Sequence, residues 1–371
     1  MTENTVFTIH GILRTTTPLH ISSPTKAYYE VATGDVKFGD PAKDKQGIFP
    51  LVLVQTLGYP GCGKDGTTAY VPMIAANNIV GRLRRHAAYI IGEHLIKRSE
   101  QLSIGAFNAL QCGAATGVPD KDPTTYAQYK ASREHLYLGT FGGGPKMFKR
   151  HLKVYNLVPE TVDTAGFGLP FEHPHDARPQ VYQLSDLIKG VMENRVDDLE
   201  RLSKPEFAAS LVVNFEVSLA ERQKLISEQR RKRNGQAEDD TKQGRESVRA
   251  VPCHQYVPPN VEFPFVFELE GDEAKLGFLL KILERFASTD TIGGRSRNGY
   301  GHFALQDVSL TGVDAGTGEP MFEPIGNLFN NNRLVTNDTF VVNSVIAYEE
   351  ALSQLTAGDF ENLLFGEKKA A

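Results

Sequence analysis

The stretch Gly293-Gly294-Arg295-Ser296-Arg297-Asn298-Gly299-Tyr300-Gly301-His302-Phe303 sets four glycines and two arginines between a helical pattern and a strand pattern. Glycine serves where a backbone takes positive φ or lies close against a ligand, and a guanidinium matches phosphate oxygens, so the stretch suits an anionic backbone. A tight turn with two solvated arginines has the same composition. Taken alone, the loop leaves both readings open.

Two further basic stretches bear on the choice. Gly139-Thr140-Phe141-Gly142-Gly143-Gly144-Pro145-Lys146 is a second glycine-rich loop, with Lys149 and Arg150 close behind Lys146. Arg82, Arg84, Arg85 and His86 lie early in a segment whose Ile79, Leu83, Ala87, Ile90 and Ile91 recur at helical spacing. A solvated charged face is the plain reading of those arginines. Cations near a helix N-terminus oppose its dipole, however, which turns the reading toward an external anion.

Other chemistries fail on residue type or order. Gly58-Tyr59-Pro60-Gly61-Cys62-Gly63-Lys64-Asp65 shares both glycines and the lysine of a phosphate-binding P-loop, but Asp65 stands where a magnesium-binding Ser or Thr belongs, and extended sequence follows. The loop at Gly293 comes after a helix and before a strand, the reverse of a dinucleotide fingerprint. His173-Pro174-His175-Asp176 lacks a third spaced ligand and reads as a proline-punctuated loop. No Gly-x-Ser-x-Gly elbow occurs, and no Ser or Cys has a compelling histidine partner. Asp35, Asp40 and Asp44 are the residue type that holds a divalent metal or assists a ribose hydroxyl beside a phosphodiester; as loop residues their plainer reading is turn chemistry. The expectation is a chain without a catalytic constellation, cofactor or metal.

The elements that must carry these loops follow from pattern. Val6 to Arg14 reads as a strand, followed by a polar turn through His20, Ser22 and Ser23. A helix is predicted from about Asn78 to Lys97, with Asn77 and Asn78 as candidate N-caps. Leu152 to Leu157 reads as a strand, Val181 to Leu202 as helical, Ser210 to Leu219 as a strand. Val261 to Glu270 alternates like a strand, and Asp272 caps an amphipathic helix through Leu276, Leu279, Leu280, Leu283 and Phe286. A strand is predicted at His302 to Leu310, another at Phe340 to Val345, and a short helix at Ile346 to Leu355. The most polar stretch, Glu221 to Arg249, contains Arg230-Arg231-Lys232-Arg233 and is a mixed-charge tongue: a flexible insertion or a nucleic-acid-contacting arm.

Composition bounds the whole. The 371 residues are 40% hydrophobic and 23% charged, and a formal net charge of -5 confines any nucleic-acid site to a local groove. Cys62, Cys112 and Cys253 form no Cys-x-x-Cys pair. No window reaches the ~18 apolar residues of a membrane span, and Met1-Thr2-Glu3-Asn4 does not read as a signal peptide. The expectation is a soluble cytoplasmic protein without membrane contact.

Pro18-Leu19-His20-Ile21-Ser22-Ser23, Ala76-Asn77-Asn78-Ile79-Val80-Gly81-Arg82-Leu83-Arg84, Phe141-Gly142-Gly143 and the loop at Gly293 occur in one order from about Thr5 to Leu310. Together they resemble the RAMP superfamily of CRISPR proteins, and within it the backbone subunits of Cascade-like effector complexes, with the type IV branch the nearest fit. Ser22 replaces the family's glycine in the first motif. Asn77, Asn78 and Val80 replace the serines and lysine of the helix-opening motif, while Gly81 and Arg84 match.

The resemblance implies an α+β, ferredoxin-like and RRM-related palm assembled from separated segments of 1–371. A finger or web insert would occupy 24–72 and a thumb insert 160–255, with the basic tongue at 221–249. It implies a guide-RNA groove built from His20, Ser22, Ser23, Lys26, Asn77, Asn78, Arg82, Arg85, Lys146, Gly293, Gly294, Arg295, Ser296, Arg297 and Asn298, with the Arg230 to Arg233 tongue on the thumb. The implied partners are guide RNA, a complementary DNA or RNA target, copies of the chain in a helical filament, and other effector subunits. A metal-dependent endoribonuclease using Asp35 or Asp40, as in type III backbone subunits, is the alternative. An RRM-like binding protein outside CRISPR systems is a third.

Overall fold

The computed structural model describes residues 5–30, 32–40, 48–113, 124–164, 179–192, 253–335 and 337–365, with scattered residues between 213 and 228. Asp44, the His173 to Asp176 loop, Arg230 to Arg233 and most of the span expected to form a thumb lie outside the described residues. The chain divides into a larger unit, Met1–Pro24 with Leu53–Lys189 and Gln255–Ala371, and a smaller one, Thr25–Val52 with Gly190–His254.

The larger unit is built on β1 (Thr5–Thr15), α1 (Ala76–Lys97), β7 (Leu152–Val154), β10 (Glu262–Gly271), α6 (Glu273–Thr289) and β11 (Phe303–Asp314). Its antiparallel sheet runs β11-β1-β10-β7. For a β-α-β-β-α-β chain this is the order fourth, first, third, second, the ferredoxin-like arrangement. The predicted helical stripes account for it. Ile79, Leu83, Ala87 and Ile91 of α1 and Leu276, Leu279, Leu280, Leu283 and Phe286 of α6 are buried in one core with Phe7 and Ile9 of β1 and Phe263, Phe265 and Phe267 of β10. The near miss to a P-loop becomes a hairpin, β5 (Thr56–Tyr59) with β6 (Ala69–Pro72), whose connection holds one 3-10 turn at Lys64–Gly66 and opens no α-helix.

A second sheet, most of whose residues belong to the smaller unit, has the order β3-β2-β4-β9-β8 and is formed by β2 (Ser22–Glu30), β3 (Asp35–Phe38), β4 (Ile48–Val54), β8 (Lys189–Met192) and β9 (Cys253–Tyr256). β2 and β3 are antiparallel through Tyr28↔Lys37, and β4 lies parallel to β9 at Leu51↔Cys253. No described helix is long and apolar enough to cross a membrane.

Several local expectations change. Asn77 and Asn78 are not caps: Ala75 holds the N-cap position of α1 without a side-chain bond, and Asn156 Oδ1 accepts from the Ala76 amide at 2.9 Å instead. A distant side chain does the work assigned to a local one. Phe340 to Val345 is no strand, because Thr339–Gln354 forms one helix, α7, capped by the Asp338 side chain. Its β-branched start misleads, but Val341, Ser344 and Tyr348 fall on one buried face at helical spacing. Within Val181 to Leu202 only Leu184–Leu187 is helical among the described residues, and β8 follows it. Phe215 to Ser218, expected in a strand, are helical. The second glycine loop begins inside a buried helix, α4 (Leu136–Phe141).

The packing of α7 on α6 turns on Gly277, where a Cβ would strike the Ser344 carbonyl oxygen and lie 2.9 Å from Tyr348 Cβ. Backbone cannot yield as a flexible side chain does, so Gly277→Ala is expected to destabilise the larger unit by roughly 1–3 kcal/mol. Denaturant unfolding checks this; unchanged stability would show that the two helices separate freely.

Candidate nucleic-acid interface

The glycine loop is fixed by backbone contacts to the segment that follows β1. Gly294 N–H donates to His20 O at 2.8 Å, Gly301 N–H to Pro18 O at 2.8 Å, and Ile292 N–H to Gly301 O at 2.8 Å. Gly293 and Gly301 both have positive φ, and a Cβ on them would strike the His20 and Ile292 carbonyl oxygens. These two glycines are thus required by the close approach of protein backbone. Between them, Arg295 takes a left-handed conformation and opens a one-turn 3-10 helix, Ser296–Asn298. Gly294, Ser296, Arg297 and Asn298 are exposed, and Arg295 is half-buried.

The base of the loop is held by charge. Arg82 Nη1 donates to Asp290 Oδ1 at 2.7 Å and Arg82 Nη2 to Gly293 O at 3.1 Å, while His86 Nε2 donates to Asp290 Oδ2 at 3.1 Å. The Thr291 amide adds a fourth bond, to Asp290 Oδ1 at 2.8 Å. Burial by itself would raise the Asp290 carboxyl. The His86 hydrogen bond, the charge of Arg82, the Thr291 amide and the Arg82 hydrogen bond outweigh it and hold the group at about 2. Asp290 is the C-cap residue of α6, where a carboxylate opposes the helix dipole, as Arg82 does near the start of α1. Each charge is misplaced for its own helix and right for the other.

The external anion inferred for this arginine cluster is therefore met in part by the protein itself. Arg82 is engaged by Asp290. Arg84 donates to Cys112 O at 3.1 Å and Phe141 O at 2.7 Å, tying α1 to the ends of α2 (Ile104–Cys112) and α4. Arg85 is exposed and, like Arg297, has no acidic partner among the described residues. Asn77 is exposed and Asn78 half-buried in the first turn of α1.

His20 and Ser22 stand beside the loop. His20 is 3% exposed, with Nδ1 2.6 Å from Gln255 O and Nε2 3.0 Å from Ser22 Oγ. Burial pushes the His20 imidazole below its ordinary value, the bond to Gln255 O opposes this, and the Arg295 charge adds to the fall. Ser22 is exposed and Ser23 half-buried. Tyr300 of the loop meets Tyr256 edge-on, with centroids 6.2 Å apart.

The remaining sequence-based candidates sit elsewhere. Lys146 follows a bend whose Gly142, Gly143 and Gly144 all take positive φ; the Gly144 N–H donates to Gly113 O, and Gly143 bridges Phe148. In the smaller unit, Lys26 pairs with Asp40 at 2.8 Å with both side chains exposed, and Asp35 lies opposite Glu30 in the β2–β3 ladder. Among the described residues no group of three or more His, Cys, Asp or Glu could hold a metal ion. Sequence reasoning missed Asp290 and Gln255, and read His86 only as part of the basic cluster. For Asp290 a signal existed, an acid at a helix C-terminus matching an unexplained base at a helix N-terminus.

Asp290→Asn should remove stabilisation on the order of 2 kcal/mol, from a carboxyl held nearly two pH units low at a site about four-fifths buried. Because the folded value lies below the unfolded one, this contribution is complete above about pH 4 and is lost as pH falls toward about 2. Denaturant unfolding between pH 6 and pH 2 (roughly) should show a steeper acid loss for the native chain than for the variant; parallel curves would refute the assignment.

No family model matches the sequence. A search of curated proteins likewise returns no match. Among solved structures, the chain is similar to one in a Type IV-B CRISPR complex, at 14% identity and a TM-score of 0.45, over 82% of this chain and 90% of that one. It is also similar to a chain in the cryo-EM structure of the Type III-B Cmr-beta bound to cognate target RNA, at 11% identity and a TM-score of 0.35, over 83% of this chain and 61% of that one. Both neighbours are chains of CRISPR complexes.

Proposed function

We propose that this chain is a backbone subunit of a CRISPR effector complex: it binds guide RNA along its phosphates and riboses, polymerises helically on it, and presents it to a complementary DNA or RNA target beside other effector subunits. The observation that carries the reading is the anchored loop. Arg82, Asp290, His86 and the His20 carbonyl hold its base, which leaves Ser296, Arg297 and Asn298 exposed beside Arg295, with exposed Ser22 on the neighbouring segment.

A subunit that accepts any guide sequence must grip the sugar-phosphate chain and leave base edges for the target. Guanidiniums and short hydroxyl and amide side chains on a rigid loop suit that task. The net charge of -5 is compatible with it, because the cations are concentrated locally. The reading is of a scaffold without chemistry of its own. In the alternative, Asp40 would act as a metal or base residue, yet its carboxylate is paired with Lys26.

Arg295→Ala combined with Arg297→Ala should weaken binding to unrelated guides by similar factors and reduce the salt slope, by about 0.7 for each phosphate of the single strand that the variant no longer neutralises. Filter or fluorescence binding at several salt concentrations measures both; a weakening confined to some sequences would contradict phosphate-based binding. Complementary RNA incubated with the assembled complex and magnesium should remain intact. Regularly spaced cleavage abolished by Asp35→Ala or Asp40→Ala would establish the endoribonuclease instead.

A further inference from the structure

The hydrogen-bond chain through His20 fixes which way the Ser22 hydroxyl points its proton. A carbonyl oxygen only accepts, so the 2.6 Å contact to Gln255 O places the hydrogen on His20 Nδ1. The ring is buried and stands in the field of Arg295, both of which favour its neutral form. A neutral imidazole protonated at Nδ1 has a bare Nε2, which accepts. Ser22 Oγ, 3.0 Å away, must therefore donate to it. With its proton committed inward, the hydroxyl of this exposed residue offers only lone pairs to solvent.

A phosphate oxygen cannot be the partner of such a group, since both are acceptors. A sugar hydroxyl can, because it donates. The 2′-hydroxyl is the donor that ribose has and deoxyribose lacks. Ser22 also lies next to the basic loop, since the Gly294 amide of that loop is bonded to the carbonyl of His20, two residues before it.

Resting on the RNA-binding reading above, we propose that Ser22 Oγ, oriented by His20 and Gln255, accepts a hydrogen bond from a ribose 2′-hydroxyl and so selects ribonucleotide over deoxyribonucleotide strands. The role needs no base contact and suits a protein indifferent to sequence. His20 is a positioning residue, acting through Ser22.

The test is equilibrium binding of the full chain to an RNA strand, the DNA strand of the same sequence, and the RNA with single 2′-deoxy substitutions. Ser22→Ala should weaken RNA binding roughly 3- to 10-fold, the loss expected for one hydrogen bond, and leave DNA binding unchanged. A 2′-deoxy substitution at the engaged position should then cost the variant nothing further, which a general packing role would not produce. His20→Phe, which removes the acceptor holding the Ser22 proton, should also narrow the RNA-to-DNA ratio. An equal loss for RNA and DNA, or an unchanged ratio in Ser22→Ala, overturns the inference while leaving the RNA-binding reading intact. Failure of the unmodified chain to bind either strand overturns both.

Discussion

The interaction on which the candidate site depends is the ion pair of Arg82 with Asp290, closed by His86. It joins the first turns of one palm helix to the end of the other, at the point where the chain leaves α6 for the glycine loop. A carboxylate at a helix C-terminus and a guanidinium near a helix N-terminus each oppose the local dipole. Juxtaposed and largely shielded from water, they satisfy one another, and the second nitrogen of Arg82 reaches the Gly293 carbonyl as well. The loop's base is thereby specified by charge, its closure by glycine, and Ser296, Arg297 and Asn298 at its tip are left exposed.

That division sorts the basic residues by role. Arg82 and Arg84 are structural, donating to a carboxylate and to main-chain carbonyls. Arg85 and Arg297 are exposed and without acidic partners among the described residues, and so are available to an anion. The same economy appears at His20, whose backbone carbonyl holds the loop while its ring holds Ser22. One residue therefore couples the position of the arginines to the polarity of a neighbouring hydroxyl.

Much of the palm was legible in the sequence because its signals are periodic and local. The stripe Leu276, Leu279, Leu280, Leu283, Phe286 can be buried only as a helix, and Asp272 caps it as its residue type suggests. Errors arose where a distant group overrode a local preference. Asn156 supplies the bond that Asn77 or Asn78 was expected to make, and burial of Val341, Ser344 and Tyr348 against α6 turns an apparent strand into a helix. The glycines of the main loop were read as sites where a ligand could approach closely, but at Gly293 and Gly301 what approaches is the protein's own backbone.

The sequence by itself determined the two helices and four strands of the palm and the existence of a basic glycine loop, since hydrophobic period and residue type act over a few neighbouring positions. Only the tertiary structure decided which cations are internal, because the partner of Arg82 lies 208 residues away along the chain. It likewise decided the direction of the Ser22 proton. That depends on the Gln255 carbonyl, 235 residues from His20, and hydrogen-bond polarity passes through contacts that sequence spacing does not encode.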